Sequence, residues 1–303
     1  MLRTIRIALA LVLGISAAPV PRSAPSAAFA GASANAAEKP VPQASLKPAA
    51  AAAPDTPQGD YDSAAERQLL ELANQARAQA GAPALALDPG LSRAARAHAQ
   101  EMFAAGELSH QFDGEPSLPQ RLAAASKLQL DQEGENVALD FDAAGAQQHL
   151  MLSPPHRANL LNPAYNVVGL GVVRSGDRLY VVQDFGHALP NYSPAEVKDR
   201  IAASVAQLRH RAGQPDLPRR DLLTADDAAC SMAKADKLQT FAIHQLAQRY
   251  TVLTYTSLHP ETLPASGERA VASRSLHSFS VGACYGRTDT YPTGVYWIAL
   301  TLE

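Results

Sequence analysis

The sequence predicts an α+β protein built from two related modules. Each half of the chain opens on an amphipathic helix that follows a Ser-x-x-Glu capping box, at Ser63 and at Ser193. Each half ends in two segments rich in Val, Ile and Tyr, which is typical of paired β-strands. Residues 209–215 also repeat the pattern Arg-x-x-Ala-Gly-x-Pro of residues 77–83. This internal repeat indicates two homologous modules.

The charge balance excludes a polybasic binding protein. The 303 residues include 26 Lys and Arg against 29 Asp and Glu, for a net charge of −3. Such a chain gains no electrostatic attraction to phosphate backbones, so we expect no nucleic-acid partner.

The N-terminus predicts export. Arg3 and Arg6 precede an apolar run at residues 7–18 and then small residues, so residues 1–34 are typical of a cleaved signal peptide. The apolar run is shorter than the roughly 20 residues that cross a bilayer, so we expect no transmembrane helix in the mature protein. Residues 35–60 are rich in Ala and Pro and indicate an extended linker. The mature protein is expected in the periplasm or outside the cell.

The first module is assigned to residues 61–190. After the helix at Ser63, a second helix begins at Asp88 and carries His98 on its apolar stripe, which favours a core histidine over a ligand. A strand pair follows near Val168 and Tyr180.

The second module is assigned to residues 193–303. Its helix resembles the first, and its strand pair lies near Val281 and Tyr296, but its middle is shorter. It contains none of the polar phrases described next, and we assign no role to its remaining histidines.

Three polar phrases of the first module are candidates for chemistry. They are Ser109-His110, Gly134-Glu135-Asn136 and the segment at residues 153–161, which contains His156. Taken singly, each is weak, because most such side chains only satisfy local hydrogen bonds.

The order of these phrases resembles the bacterial branch of the CAP superfamily, the SCP-like extracellular and pathogenesis-related 1-like proteins, over about residues 63–187. The resemblance implies an α-β-α sandwich with a cleft lined by two histidines and acidic residues, followed here by a degenerate CAP-like copy. Carried over by position, the cleft residues are His110, Glu135 and His156. The residues expected to support the structure are Asn74, Arg77, Asn136, Arg157, Asn159 and Gln183.

The same three cleft residues are candidate metal ligands. Two neutral imidazoles and one carboxylate suit zinc, or another divalent cation, with one open position for water. Without a metal, His110, Glu135 and His156 could instead form a hydrogen-bonded structural cluster. Many relatives have a second Glu, for which this sequence offers no clear counterpart. His149 is a further candidate, but the prolines before His156 break the helix that would align the two.

The two cysteines, Cys230 and Cys284, are predicted to form a disulfide, because an even pair in an exported chain favours one. Two buried free thiols are the alternative.

Two functions remain. The favoured one is an exported binding protein whose cleft holds an ion or a small amphiphile such as a lipid, with the second module docking onto an envelope partner. The alternative is a metal-dependent hydrolase of envelope or extracellular polymers. The Gly-x-Ser-x-Gly and His-Glu-x-x-His hydrolase motifs do not occur in the sequence.

Overall fold

The computed structural model describes residues 59–303. The predicted signal peptide and all but the last two residues of the predicted linker lie outside this range. The helices are α1 Ser63–Gln79, α2 Pro89–Ala105, α3 Leu118–Ala125, α4 Ala143–Leu152, α5 Pro154–Leu161, α6 Pro194–Arg211, α7 Leu223–Ala235, α8 Phe241–Leu246 and α9 Ala265–Val271. The strands are β1 Asp60–Tyr61, β2 Ala86–Leu87, β3 Gln129–Asp140, β4 Val167–Ser175, β5 Arg178–Leu189, β6 Thr251–Ser257, β7 Phe279–Gly286 and β8 Val295–Leu302.

The first module is a three-layer α-β-α sandwich, which confirms the α+β prediction. Its sheet has the order β1-β4-β5-β3, with β2 added alongside β4. Apolar residues of α1, α4 and α5 pack on one face of the sheet, and those of α2 and α3 pack on the other. Strand β3 forms one edge of this sheet, so side chains from both faces can meet there.

Glycine lets α2 approach the sheet closely. A Cβ on Gly169 of β4 would lie 2.1 Å from the backbone carbon of Leu91, and one on Gly171 would lie 2.2 Å from that of Ala95. Real side chains do not tolerate such distances, so these two strand positions fix how α2 lies on the sheet.

The predicted capping box at Ser63 is wrong in detail. Asp62 is the N-cap of α1, and its side chain accepts a hydrogen bond from the Ala65 amide. Glu66 instead faces the sheet, where it accepts from Arg96 and from the Val172 amide. Asp caps helices at least as well as Ser, so the aspartate just before Ser63 takes the position. The second predicted box, at Ser193 and Glu196, is confirmed.

Residues 193–303 form a smaller three-layer arrangement. Its antiparallel sheet has the order β6-β8-β7. Helices α6 and α9 pack on one face, and α7 and α8 pack on the other. In both sheets the last strand of the module is flanked by the strand just before it on one side and by an earlier strand on the other.

Cys230 of α7 is disulfide-bonded to Cys284 of β7, which confirms that prediction. The bond ties the helix to the face of the sheet on which it packs. Among residues 59–303, no helix combines the length and the apolar character that crossing a membrane requires.

Candidate functional site

The Gly134-Glu135-Asn136 phrase lies on the edge strand β3. Glu135 pairs with Asp184 of β5, and Asn136 pairs with Gln183. Because neighbouring side chains on a strand point to opposite faces, Glu135 faces α2 and α3, and Asn136 faces α5. A Cβ on Gly134 would lie 2.5 Å from the Tyr165 hydroxyl, so glycine is needed for this close packing.

His110 and Glu135 form a hydrogen-bonded pair, and Arg121 contacts the same carboxylate. His110 Nδ1 lies 2.8 Å from Glu135 Oε1, and Arg121 Nη2 lies 2.5 Å from Glu135 Oε2. The Glu135 side chain is 4% exposed, whereas that of His110 is 58% exposed. The bond to Glu135 raises the pKa of His110 above its ordinary value, and burial opposes this. The pair therefore presents a half-exposed imidazole above a buried carboxylate.

Glu115 joins the same cluster through Arg121 and His98. Its Oε1 lies 3.0 Å from Arg121 Nη1 and 2.7 Å from His98 Nδ1. The His98 side chain is fully buried, as expected for a core histidine, and its Nε2 lies 2.8 Å from the Ser109 carbonyl oxygen. Since a carbonyl only accepts, His98 Nε2 carries a hydrogen.

Asp184 is the most deeply buried acid of the cluster. It is fully buried, and within residues 59–303 neither of its carboxylate oxygens accepts a hydrogen bond. Burial, and then the negative charge of Glu135, raise the pKa of Asp184 well above its ordinary value. Arg121 is therefore the cation that offsets the negative charges of the buried acids, and it contacts both Glu115 and Glu135.

His156 approaches His110 from α5. The two ring centroids are 6.4 Å apart, and His156 Nδ1 lies 2.9 Å from the Ser153 hydroxyl. Burial and the charge of His110 lower the pKa of His156. The structure thus brings the three predicted cleft residues together, with one imidazole paired to a carboxylate and the other to a hydroxyl.

An amide network fixes α5 against the sheet. Asn136 Nδ2 donates to the His156 carbonyl at 3.1 Å and to Gln183 Oε1 at 3.2 Å. Asn159 Nδ2 donates to Asn136 Oδ1 at 3.0 Å and to the Glu135 carbonyl at 3.1 Å. Asn136, Asn159 and Gln183 therefore position the helix that carries His156.

Two other predicted support residues lie on α1. Asn74 exchanges hydrogen bonds with the backbone of Leu85, at 3.1 Å and 2.8 Å. Arg77 is fully buried, and its guanidinium donates to four backbone carbonyls, one of them that of Tyr165 at 2.8 Å. Both tie α1 to its neighbouring loops.

Arg157 does not join these networks. It is exposed and lines a groove between α4 and α5 with a volume of about 320 Å³. The other lining residues are Met151, Leu152, Pro154, Ala158 and Leu161. A larger cavity, about 550 Å³, lies in the second module beside α7 and α8, away from the histidine cleft.

His149 does not approach the cleft pair. Its Nδ1 lies 2.5 Å from Asp140 Oδ2, and α4, which carries it, ends before Pro154. The break that the prolines predict is confirmed.

The arrangement of the side chains does not fit a three-ligand metal site. Within residues 59–303, no group of three or more His, Cys, Asp or Glu side chains is arranged to hold a metal ion. Both Glu135 oxygens are engaged, one by His110 and one by the Arg121 guanidinium, which brings a positive charge where a cation would need a ligand. The two imidazoles alone supply fewer ligands than such a site requires.

Sequence reasoning missed Glu115, Arg121 and Asp184. Glu115 and Arg121 are single charged residues without a recurring spacing. A signal for Asp184 did exist, since a carboxylate within the apolar segment Tyr180–Phe185 must find a special environment.

The first module is similar to a known protein family. The family model of CAP, the cysteine-rich secretory protein family, matches residues 70–185. The membrane protein YlbC of Bacillus subtilis is 33% identical over 121 residues, which are 40% of this chain and 34% of YlbC. YkwD of the same organism is 33% identical over 115 residues, which are 38% of this chain and 44% of YkwD. The chain thus spans less than half the length of these curated relatives.

Among solved structures, an extracellular protein from Bacillus anthracis that contains an SCP domain is 30% identical, with a TM-score of 0.37. The match covers 41% of this chain and 40% of that protein.

Proposed function

We propose that this chain, whose residues 70–185 form a CAP domain of the cysteine-rich secretory protein family, is an exported protein that binds a small anionic amphiphile beside α5. The observation that carries the proposal is the groove between α4 and α5. Five of its six lining residues are apolar side chains, and the sixth is Arg157. An apolar groove with one cationic side chain suits a ligand that has an apolar tail and a negatively charged head group.

The groove and the histidine cleft adjoin at the start of α5. Pro154 lines the groove, and the preceding Ser153 bonds to His156 in the cleft. The lining residues Pro154, Arg157, Ala158 and Leu161 share one face of α5, and His156, two positions after Pro154, lies on another. The volume of about 320 Å³ is at the lower end of the roughly 300–1,000 Å³ of small-molecule sites.

The test uses dodecanoate as the probe and the melting temperature as the readout. A ligand at about 100 times its Kd stabilises the folded state by about 2.7 kcal/mol, so we expect a clear upward shift in the wild-type protein. Leu152→Asp and Arg157→Glu should abolish the shift, whereas His110→Ala should retain it. Leu152 is 71% exposed, so its substitution should not disturb folding.

Leu223→Asp is the matched control, because Leu223 is 79% exposed in the other module. It should shift with dodecanoate as the wild type does. No shift in the wild type, or an equal shift in Leu152→Asp, would disprove the proposal.

The metal-dependent hydrolase is a separate hypothesis with a separate test. Metal content would be measured on the exported chain and on a His110→Ala/His156→Ala variant after dialysis without chelator. About one zinc per chain, lost in the variant, would favour a metal site of the usual kind. The Arg121 contact with Glu135 argues against this result.

We also propose that the protein acts outside the cytoplasm. The disulfide between Cys230 and Cys284 supports an oxidising compartment, and the sequence of residues 1–34 is typical of a signal peptide. Fractionation should recover a chain shortened at its N-terminus from the periplasm or the medium. A full-length chain in the cytoplasm would contradict the proposal.

We infer that residues 193–303 are a degenerate CAP-like module. Its strand order supports this, as does Gly282, where a Cβ would lie 1.9 Å from the Ala225 carbonyl oxygen of α7. Gly169 makes the same kind of close approach to α2. An experimental structure with a different strand order would refute the inference.

A further inference from the structure

The loop between β7 and β8, residues 287–294, reaches across to the first module. Arg287 Nη1 donates to the Ala123 carbonyl at 2.7 Å and to the Ser126 carbonyl at 2.8 Å, and its Nη2 donates to the Leu128 carbonyl at 3.1 Å. These are carbonyls at and just beyond the end of α3, where a helix lacks internal donors. A cation there also complements the helix dipole.

The same loop contacts the start of β3. Thr293 Oγ1 donates to the Leu130 carbonyl at 3.0 Å, and Gln129 Nε2 donates to the Gly294 carbonyl at 3.5 Å. Outside the loop, His259 Nε2 lies 3.6 Å from Asp131 Oδ2. The second module therefore holds the corner at which α3 passes into β3.

The loop is anchored firmly in its own module. The Asp236 carboxylate, at the end of α7, accepts from the Thr288 hydroxyl at 2.8 Å and from the Thr290 amide and hydroxyl at 3.0 Å and 2.7 Å. The Tyr285 hydroxyl donates to the Thr293 carbonyl at 2.8 Å. Arg287 thus projects from a supported loop and can resist movement of α3.

Helix α3 carries the cation of the cleft. It has 8 residues, and Arg121 lies two positions before Ala123, one of the Arg287 acceptors. A helix of two turns is not stable alone in water, so its position depends on what holds its ends. Ser117 and Gln120 form a capping box at its N-terminus, and Arg287 holds its C-terminus.

We propose that the second module is a brace for the cleft of the first, with Arg287 as a positioning residue that acts through α3 on Arg121. When α3 is held, Arg121 keeps its contacts with Glu115 and Glu135. This gives the second module a role although it contains no counterpart of the cleft residues. Arg287 holds α3 in this way whichever ligand the cleft binds.

The test is made on the full exported chain with Arg287→Ala and Arg287→Lys. Two readouts that do not depend on activity are hydrogen exchange of the α3 amides and the Arg121 Nε–H resonance in NMR spectra. In Arg287→Ala we expect α3 exchange to quicken by about tenfold or more as the helix end opens, and the Arg121 resonance to shift or broaden. Lysine cannot form the same fork of donors, so Arg287→Lys should be intermediate.

Arg219→Ala is the matched control, because Arg219 belongs to the second module but pairs with Asp199. It should leave both readouts at wild-type values. If Arg287→Ala does not fold, Asp236→Asn loosens the loop from its own module and should change both readouts in the same direction.

Wild-type α3 exchange in a folded Arg287→Ala protein would overturn the proposal. So would faster α3 exchange with an unchanged Arg121 resonance, since the brace would then not reach the cleft. Either of these two results in Asp236→Asn would overturn it as well.

Discussion

Arg77 and Arg209 make matching hydrogen bonds in the two halves of the chain. In each, Nε donates to the carbonyl of a proline six positions later, at 2.7 Å for Arg77 and 2.6 Å for Arg209. In each, Nη1 donates to two carbonyls that are two positions apart at the C-terminal end of a later helix, α5 for Arg77 and α9 for Arg209. The acceptors of Nη1 are Leu160 and Asn162 for Arg77, and Val271 and Ser273 for Arg209. One buried guanidinium therefore organises the end of the first helix of each module.

Arg209 should contribute strongly to the free energy of unfolding. Arg209 is 1% exposed, so Arg209→Ala would leave three carbonyls without their donor and open a cavity. We expect a loss of about 3 kcal/mol in the free energy of unfolding. Urea unfolding followed by the fluorescence of Trp297 measures it, because the chain has 1 Trp.

His210→Ala is the control for this substitution, since His210 neighbours Arg209 but is exposed. It should change stability by less than about 0.5 kcal/mol. Equal effects of the two substitutions would show that the Arg209 contacts contribute little.

Gly282 should not tolerate even a methyl group. A Cβ there would lie 1.9 Å from the Ala225 carbonyl oxygen, so Gly282→Ala must push α7 away from β7. We expect a loss of about 3 kcal/mol or more, as overpacking against backbone cannot be relieved by a side-chain rotation. Thermal and urea unfolding would measure it.

Gly267→Ala adds the same methyl group as Gly282→Ala, but we expect it not to destabilise the protein. Gly267 lies in α9, and a Cβ there would make ordinary contacts at 3.5 Å. Alanine favours a helix over glycine by about 1 kcal/mol, so this variant should be as stable as the wild type or more so. If both glycines tolerate alanine equally, α7 does not approach β7 as closely as these distances require.

The residues of the cleft show what a sequence does and does not reveal. His110, Glu135 and His156 could be named because they stand in short phrases whose order resembles a family. The sandwich helices could be placed because their apolar residues recur at helical spacing. Arg121 could not be named, because its role depends on the packing of α3 against β3. No local sequence pattern predicts its contact with Glu135.

The contacts between the two modules could not be predicted from the sequence either. The sequence predicts Arg287 to be a surface residue in a polar loop, and the residue is exposed in the structure. Its three acceptors lie about 160 positions earlier in the chain. Contacts at that separation depend on how whole modules dock, which repeat patterns alone do not specify.

The disulfide should contribute a large share of the stability of the second module. Cys230 and Cys284 are 54 positions apart, and closing a loop of this length contributes about 4 kcal/mol on the chain-entropy model. Reduction with dithiothreitol, or a Cys230→Ala/Cys284→Ala variant, should lower the melting temperature to a similar extent. The variant should not respond further to reductant, which is the control. A wild-type protein that melts at the same temperature with and without reductant would contradict the expectation.

Asp184 should make the protein less stable as the pH rises. Burial raises its pKa well above the unfolded value of about 3.9. Between the unfolded and the folded pKa, the unfolded chain has lost the proton that the folded chain keeps, so stability falls with increasing pH by up to about 1.4 kcal/mol per unit. Below the unfolded pKa this contribution is fully present, and it is lost as the pH rises through the folded pKa.

Asp184→Asn isolates this effect, because the amide copies the neutral acid in shape but does not titrate. The variant should gain stability relative to the wild type as the pH rises from about 4 to about 7, reaching an advantage of about 1 kcal/mol or more at the upper end. Glu115, Glu135 and Arg121 face the same site in both proteins, so the comparison changes only the group at position 184. Asp227→Asn, an exposed substitution on α7, should show no such trend. Parallel stability curves for Asp184→Asn and the wild type would mean that Asp184 is ionised in the folded protein, and that Arg121 compensates its charge as well as those of the two glutamates.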